Sequence, residues 1–247
     1  MECTTLLSEI DAILNTASFK DYCPNGLQIQ GRPSITKIAA AVTASRSVIE
    51  QAAAWGADAL LVHHGYFWKG EDAPIVGMKH GRIAALIKHD INLIAYHLPL
   101  DAHPILGNNA QLALKLGFQV AGQVPTEPLV WHGTSDCLTL GELAARIEQR
   151  LGRAPQVIGD ARAAVGTVAW CTGAAQGYIT TAAACGAQTF ISGEVSERTC
   201  HEAQELGVNY LACGHHATER YGVQALAEHL AGAFALECRF FDDNNPV

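Results

Sequence analysis

Residues 38–64 read IAAAVTASRSVIEQAAAWGADALLVHH, and residues 168–194, shifted by 130 positions, read VAWCTGAAQGYITTAAACGAQTFISGE. The two stretches align without a gap. Ala39/Ala169, Ala44/Ala174, Ile49/Ile179, Ala52/Ala182, Ala53/Ala183, Ala54/Ala184, Gly56/Gly186 and Ala57/Ala187 are identical. Alanine matches are cheap coincidences, but both stretches share an order: apolar run, helical periodicity, Gly-Ala turn, second apolar run. That order is the signature of a βαβ unit. Further on, residues 91–97, INLIAYH, resemble residues 208–215, VNYLACGH, with one extra residue before the histidine.

A repeat of this length bears on the whole chain. Apolar runs predict strands at 38–42, 59–62, 91–96, 168–171, 189–191 and 208–213. Helical periodicity covers 6–14, 47–55, 82–88, 109–116, 140–151, 178–185, 198–206 and 218–231, several of these ending at a glycine. The expected fold class is α/β: two similar α/β domains from an internal duplication, residues 1–126 and 127–247, joined near 125–133.

The chain has 247 residues, is 49% hydrophobic and 16% charged, and carries a net charge of −8. Such a composition excludes a disordered or low-complexity protein, and the negative charge argues against a general nucleic-acid binder, duplex nucleic acid included. No apolar run approaches the roughly 20 residues of a membrane span. The N-terminus, with Glu2 and no basic residue before Lys20, lacks the pattern of a secretory leader, so a cytoplasmic location is expected. The eight cysteines form no C-x-x-C pair and are expected to be reduced, mostly buried thiols.

The polar residues at the predicted strand ends carry the chemistry. His63 and His64 follow one strand, and His97 with Asp101 follows another. The repeat puts Gly193-Glu194 at the position of His63-His64, and His215, His216 and Glu219 at that of His97 through Asp101. Ligand sites of parallel α/β sheets form at the carboxyl ends of strands, so two halves of this kind can close on one metal site in the cleft between them. Imidazole and carboxylate suit iron, zinc, nickel and manganese rather than calcium. More donors converge than one ion uses, which points to two divalent ions per chain. Adjacent residues of a strand point to opposite sides, so His63 and His64 are expected to lie beyond the strand end. Pro99 argues for a loop through His97 to Asp101, whereas His215 and Glu219 have the spacing of a helix start. His80, His89, His132, His201 and His229 are read as surface residues. His103 and His216 are placed as groups that orient a ligand, and Tyr66-Phe67-Trp68 as packing or pocket wall. No G-x-G-x-x-G, G-x-x-x-x-G-K-[ST] or G-x-S-x-G sequence is present, so dinucleotide, P-loop and α/β-hydrolase readings lose their anchors.

The segments Pro24-Asn-Gly-Leu-Gln28, Val62-His-His-Gly-Tyr-Phe-Trp-Lys-Gly70, His97-Leu-Pro-Leu-Asp-Ala-His103, Gly107-Asn-Asn-Ala110, Ile191-Ser-Gly-Glu-Val-Ser-Glu197 and Gly214-His-His-Ala-Thr-Glu-Arg220 together resemble the GTP cyclohydrolase I type 2 homologues. That family is also known as the Ngg1-interacting-factor-3-like proteins. The resemblance spans nearly the whole chain and keeps the motif order of the compact bacterial form. It implies two similar α/β domains, a dinuclear metal site between them and a ring-shaped homohexamer. By motif position it implies metal ligation by His63, His64, His97, Asp101, His215 and Glu219, and it places the family's Gly-Glu segment on Gly193 and Glu194.

Two classes of function follow. One is a metal-dependent hydrolase of a small-molecule, nucleotide-like substrate, acting by GTP-cyclohydrolase-like or phosphoester hydrolysis through a metal-bound hydroxide. Glu194 is then the first candidate for moving the proton and His216 the second, while Lys69, Arg198 and Arg220 are candidates for meeting phosphate. The other is a non-catalytic regulatory or scaffold hexamer whose ions hold structure.

Overall fold

The computed structural model describes all 247 residues. The chain divides into two compact units, Met1–Gly107 with Gly222–Asn244, and Asn108–Tyr221 with Asn245–Val247. The duplication reading divides the sequence at 126/127 because it follows the repeated pattern. The units follow packing, so a C-terminal segment rejoins the N-terminal one.

In the first unit, helix α1 (Cys3–Leu14) leads into β1 (Gly26–Ile29), β2 (Lys37–Thr43), α2 (Arg46–Trp55), β3 (Ala59–His64), α3 (Gly77–Lys88), β4 (Asn92–Ala95) and α4 (Leu98–Ala102). In the second, α5 (Asn108–Leu116), β5 (Gln119–Val124), β6 (Glu127–Thr134), α6 (Leu140–Leu151), β7 (Gln156–Ile158), β8 (Thr167–Cys171), α7 (Ile179–Ala184), β9 (Thr189–Ser192), α8 (Glu197–Leu206) and β10 (Asn209–Ala212) follow. Helix α9 (His215–Phe234) starts in the second unit and ends in the first, where β11 (Glu237–Phe240) completes the sheet. None of these helices is long and apolar enough to cross a membrane.

The first sheet has the order β1-β4-β3-β2-β11 and the second β5-β6-β8-β9-β10-β7. Their parallel cores share one register. Ile38 pairs with Ala59 and Ala59 with Asn92; in the second sheet Val168 pairs with Thr189 and Thr189 with Asn209. Even the antiparallel strand beside each core keeps the shift of 130, Leu27 facing Ile94 and Val157 facing Leu211. The connecting helices stop alike, at Gly56 with φ +80° and Gly186 with φ +86°, a left-handed conformation that glycine adopts without steric cost.

Both sheets are covered on both faces, which is why their parallel strands read as continuous apolar runs. In the first unit Leu6, Ile10 and Leu14 of α1 and Val223, Leu226 and Leu230 of α9 pack with Ile38, Ala40, Leu61 and Ile94. On the opposite face Val48, Ile49 and Ala52 of α2 and Leu86 of α3 pack with Ala39, Ala41, Leu60 and Val62. The second unit repeats the arrangement, with Leu143 and Ile147 of α6 against Val168, Trp170 and Ile191, and Ile179 and Ala182 of α7 against Ala169, Phe190 and Tyr210. All eight cysteines are free thiols, five of them buried.

Two local expectations are corrected. The stretch around 125–133, read as a join between halves, is the turn and second strand of the β5–β6 hairpin. Residues 98–102 form helix α4 rather than a loop, because Pro99 falls in the first turn, where a missing N–H removes no helical hydrogen bond.

Candidate metal centre

In the first unit the candidate ligands sit at the carboxyl ends of neighbouring parallel strands. β3 runs through both histidines, with His64 still paired to Thr43, so the expectation that the strand stops before them is corrected. Their rings nevertheless lie 4.5 Å apart, and the His97 ring lies 5.1 Å from that of His63 and 5.9 Å from that of His64. The pleat alternates only within a continuing ladder, and the strand ends at His64, ahead of Gly65. A ring nitrogen from each of the three imidazoles lies within 4.8 Å of the others.

Each of these imidazoles is held from behind. His63 Nδ1 is 3.0 Å from the Tyr96 carbonyl oxygen. A carbonyl only accepts, so Nδ1 carries a proton, and in the neutral ring the lone pair is then on Nε2. That Nε2 lies 3.5 Å from Asp101 Oδ1, both groups buried. A lone pair and a carboxylate facing one another at that distance need a proton or a cation between them. His97 Nδ1 donates to Asp21 Oδ1 at 2.7 Å, and His64 Nδ1 lies 3.2 Å from Thr43 Oγ1.

Asp21 is the residue that sequence reasoning missed. Its carboxylate accepts from the backbone N–H groups of Tyr22 (2.6 Å) and Leu98 (2.9 Å) and from Asn25 Nδ2 (3.0 Å), besides His97. Burial alone would raise its pKa, but the hydrogen bond and charge of His97, with the bonds from Asn25 and Leu98, bring it down to about 2. Asn25 Oδ1 also accepts from the His97 N–H at 2.8 Å. The only hint in the sequence was that Asn25 falls within the Pro24–Gln28 segment, three residues from which Asp21 stands unmarked.

The second unit builds its share on the first turn of α9. His215 Nε2 lies 3.0 Å from Glu219 Oε2, the one-turn spacing expected, and His215 Nδ1 lies 2.7 Å from Glu194 Oε1. Burial disfavours charge on this ring, but the bonds and charges of Glu219 and Glu194 outweigh it and raise the His215 pKa to about 9. A metal ion held at Nε2 would take the place of that proton. Tyr210 donates to the Glu194 carbonyl oxygen, fixing the chain from which that carboxylate extends. Gly173 leaves space for the pair: a Cβ built there would fall 2.0 Å from Glu219 Oε1 and 3.2 Å from His215 Nε2. His216 follows within α9, and its backbone N–H donates to the Val247 carbonyl oxygen at 2.9 Å.

The remaining histidines separate from these groups. His103 Nδ1 accepts from the Ile105 and Leu106 N–H groups, at 3.2 and 2.9 Å, so this nitrogen closes a turn instead of orienting a ligand. His80, His89, His201 and His229 are exposed and His132 is half-buried in β6. The groups present fit divalent metal: imidazole nitrogens, carboxylates beside them, and polar partners behind the rings, the arrangement that orients histidine ligands.

The model of the Duf34/NIF3 (NGG1p interacting factor 3) family matches residues 1–246. The chain belongs to the Duf34/NIF3 family. It is 51% identical over 249 residues to the GTP cyclohydrolase 1 type 2 homolog of Escherichia coli, covering 100% of both chains. With the Pseudomonas aeruginosa protein of that name it shares 49% over 250 residues, 99% of this chain and 98% of the relative. Among solved structures, a protein described as "Structural genomics, protein ybgI, unknown function" superposes with a TM-score of 0.96 at 49% identity, and TTHA1606 from Thermus thermophilus with 0.87 at 34%, each over 100% of both chains. This Duf34/NIF3 chain therefore has the compact length of its bacterial relatives and their α/β fold.

Proposed function

We propose that His63, His64, His97 and Asp101 of the first unit and His215 and Glu219 of the second serve one dinuclear centre of divalent ions, of the iron, zinc, nickel or manganese class. On this reading the protein is a metal-dependent hydrolase of a nucleotide-like substrate. The observation that carries the metal assignment is the facing of His63 Nε2 and Asp101 Oδ1 at 3.5 Å with the Nδ1 proton committed to Tyr96. The donor count supports sharing between the halves. His215 and Glu219 alone are two ligands, fewer than the roughly four to six that these ions take.

Bound ions supply a nucleophile at neutral pH and polarise the group attacked. The protein's own groups do the rest. Tyr96, Asp21 and Glu194 fix the rings of His63, His97 and His215. Glu194 has a second oxygen beyond the one held by His215 Nδ1, and this carboxylate is the proposed proton carrier, with His216 the second candidate. The names of the relatives support the GTP-cyclohydrolase-like reaction, phosphoester hydrolysis is the other reaction open to the same centre, and Lys69, Arg198 and Arg220 are the cations proposed to meet phosphate. The cytoplasmic location expected from the N-terminal sequence and the homohexamer implied by the family belong to the same proposal.

The test is a turnover screen over nucleoside triphosphates and simple phosphoesters with metal-loaded protein, before and after chelation. Turnover that chelation abolishes, and that Glu194→Gln lowers while metal content holds, supports the hydrolase. Ions retained with no turnover on any substrate replaces it with the regulatory or scaffold hexamer. Sedimentation giving a monomer removes the hexamer.

A further inference from the structure

The wall beside the first unit's imidazoles is aromatic. The Trp68 ring stands edge-on to His97, with centroids 4.9 Å apart at 87°, and lies 5.9 Å from the His64 ring. The Tyr22 ring lies 6.4 Å from His97 at 64°. Trp68 is only partly buried, and Tyr22 is 61% exposed although its neighbours Asp21 and Cys23 turn inward.

The backbone is arranged to present these rings. Phe67 holds φ +65°, a left-handed conformation costly for a bulky residue and retained where the surroundings enforce it. The result is that three consecutive aromatics go to three places. Tyr66 is buried with its hydroxyl donating to the Ala44 carbonyl, Phe67 lies under the Lys79 ammonium, and Trp68 meets the histidines. The Trp68 backbone N–H donates to Glu71 Oε2 at 3.0 Å, and the Lys69 backbone N–H to the Tyr22 carbonyl at 2.6 Å. The two aromatic positions are thus tied to each other through the main chain. The equivalent positions in the other half, 196–198, are Ser196, Glu197 and Arg198, so the aromatic wall belongs to one half alone.

We infer that Trp68 and Tyr22 form a stacking platform that takes the planar heteroaromatic ring of the substrate, a purine-like base, at the mouth of the first unit's imidazole cluster. This deepens the hydrolase reading and rests on the metal centre proposed there. The indole stands beside the His64 and His97 rings, and a flat ring is the shape that an indole binds with least selectivity for its edge groups. Lys69, next in sequence, is exposed and is the cation proposed to meet a phosphate on such a ligand.

The experiment uses the full-length metal-loaded protein and measures dissociation constants for guanosine monophosphate and, as a probe without a base, ribose 5-phosphate. Trp68→Ala is expected to weaken guanosine monophosphate at least ten-fold and Trp68→Phe less than three-fold, with ribose 5-phosphate unchanged within two-fold in both. Tyr22→Ala should weaken the base-bearing ligand alone, by a smaller factor. Metal content should stay at the wild-type value, since neither ring is a ligand. Guanosine monophosphate binding no tighter than ribose 5-phosphate in the wild type, or Trp68→Ala weakening both ligands alike or neither, overturns the platform. Base-selective binding lost in Trp68→Ala, in a protein that turns nothing over, keeps the platform and removes the hydrolase.

Discussion

The two halves share three parallel strands in one register, β2, β3 and β4 matching β8, β9 and β10, and have different strand ends. β3 finishes in His63 and His64, with Thr43 Oγ1 on the neighbouring strand end 3.2 Å from His64 Nδ1. At the matching positions the second half has Gly193 and Glu194, and Gly173 in place of Thr43. One half therefore offers imidazoles backed by a hydroxyl, a carbonyl and Asp21. The other offers one imidazole between two carboxylates, with a glycine clearing room in front. A shared scaffold decides where chain ends arrive, and the few residues just past the strands decide what chemistry each end can do.

The largest contrast expected is at positions 43 and 173. Gly173→Ala puts a Cβ onto Glu219 Oε1 at φ +70° and should destabilise by about 4 kcal/mol, whereas Thr43→Ala should lose about 1 kcal/mol. Equal denaturant midpoints for the two variants would break the comparison.

Next is the start of the inner strands. Asp58 accepts from the Thr36 N–H and hydroxyl, the Lys37 N–H and Arg32. Burial would raise its pKa, but these partners hold it below the ordinary 3.8. A depressed carboxylate stabilises above its unfolded pKa, and the stabilisation is lost as pH falls through 3.8 towards the folded value. Asp58→Ala should cost about 3 kcal/mol at pH 7, with the gap to wild type shrinking in melts below about pH 4. The matching residue is Gln188, whose Oε1 accepts from the Thr167 N–H at 3.3 Å. Gln188→Ala should cost about 1 kcal/mol, with no such dependence on acid.

Asp21 and Glu194 sharpen the comparison further, each behind one histidine. Asp21→Asn and Glu194→Gln should each weaken metal about 10- to 100-fold in competition titrations; a loss confined to one would mean that only that half binds. The smallest effect is expected at His201, paired with Glu197 on an exposed face of α8. His201→Ala should change stability by less than about 0.5 kcal/mol and metal binding not at all.

The six inner strands were legible because both faces are buried, leaving unbroken apolar runs, and the long helices because their periodicity is regular. β1, β5, β6, β7 and β11 were not. β1, β5, β6 and β7 lie outside the parallel cores and β11 sits at the edge of one, several of the five are short, and exposed residues such as those of β5 break their patterns. The candidate ligands stood out because they recur at strand ends. Their supports did not: Asp21 acts through a hydrogen bond across 76 residues, and the Tyr96 carbonyl has no side-chain identity to read. Pro99 misled because a rule for helix interiors was applied to a first turn.

The most direct test is metal content of wild-type and His215→Ala protein, purified without chelator and compared at equal folded concentration. A shared dinuclear centre predicts about two divalent ions per chain in the wild type and fewer in the variant, although three imidazoles of the first unit remain in it. No metal in the wild type, or an undiminished content after loss of His215, would contradict it.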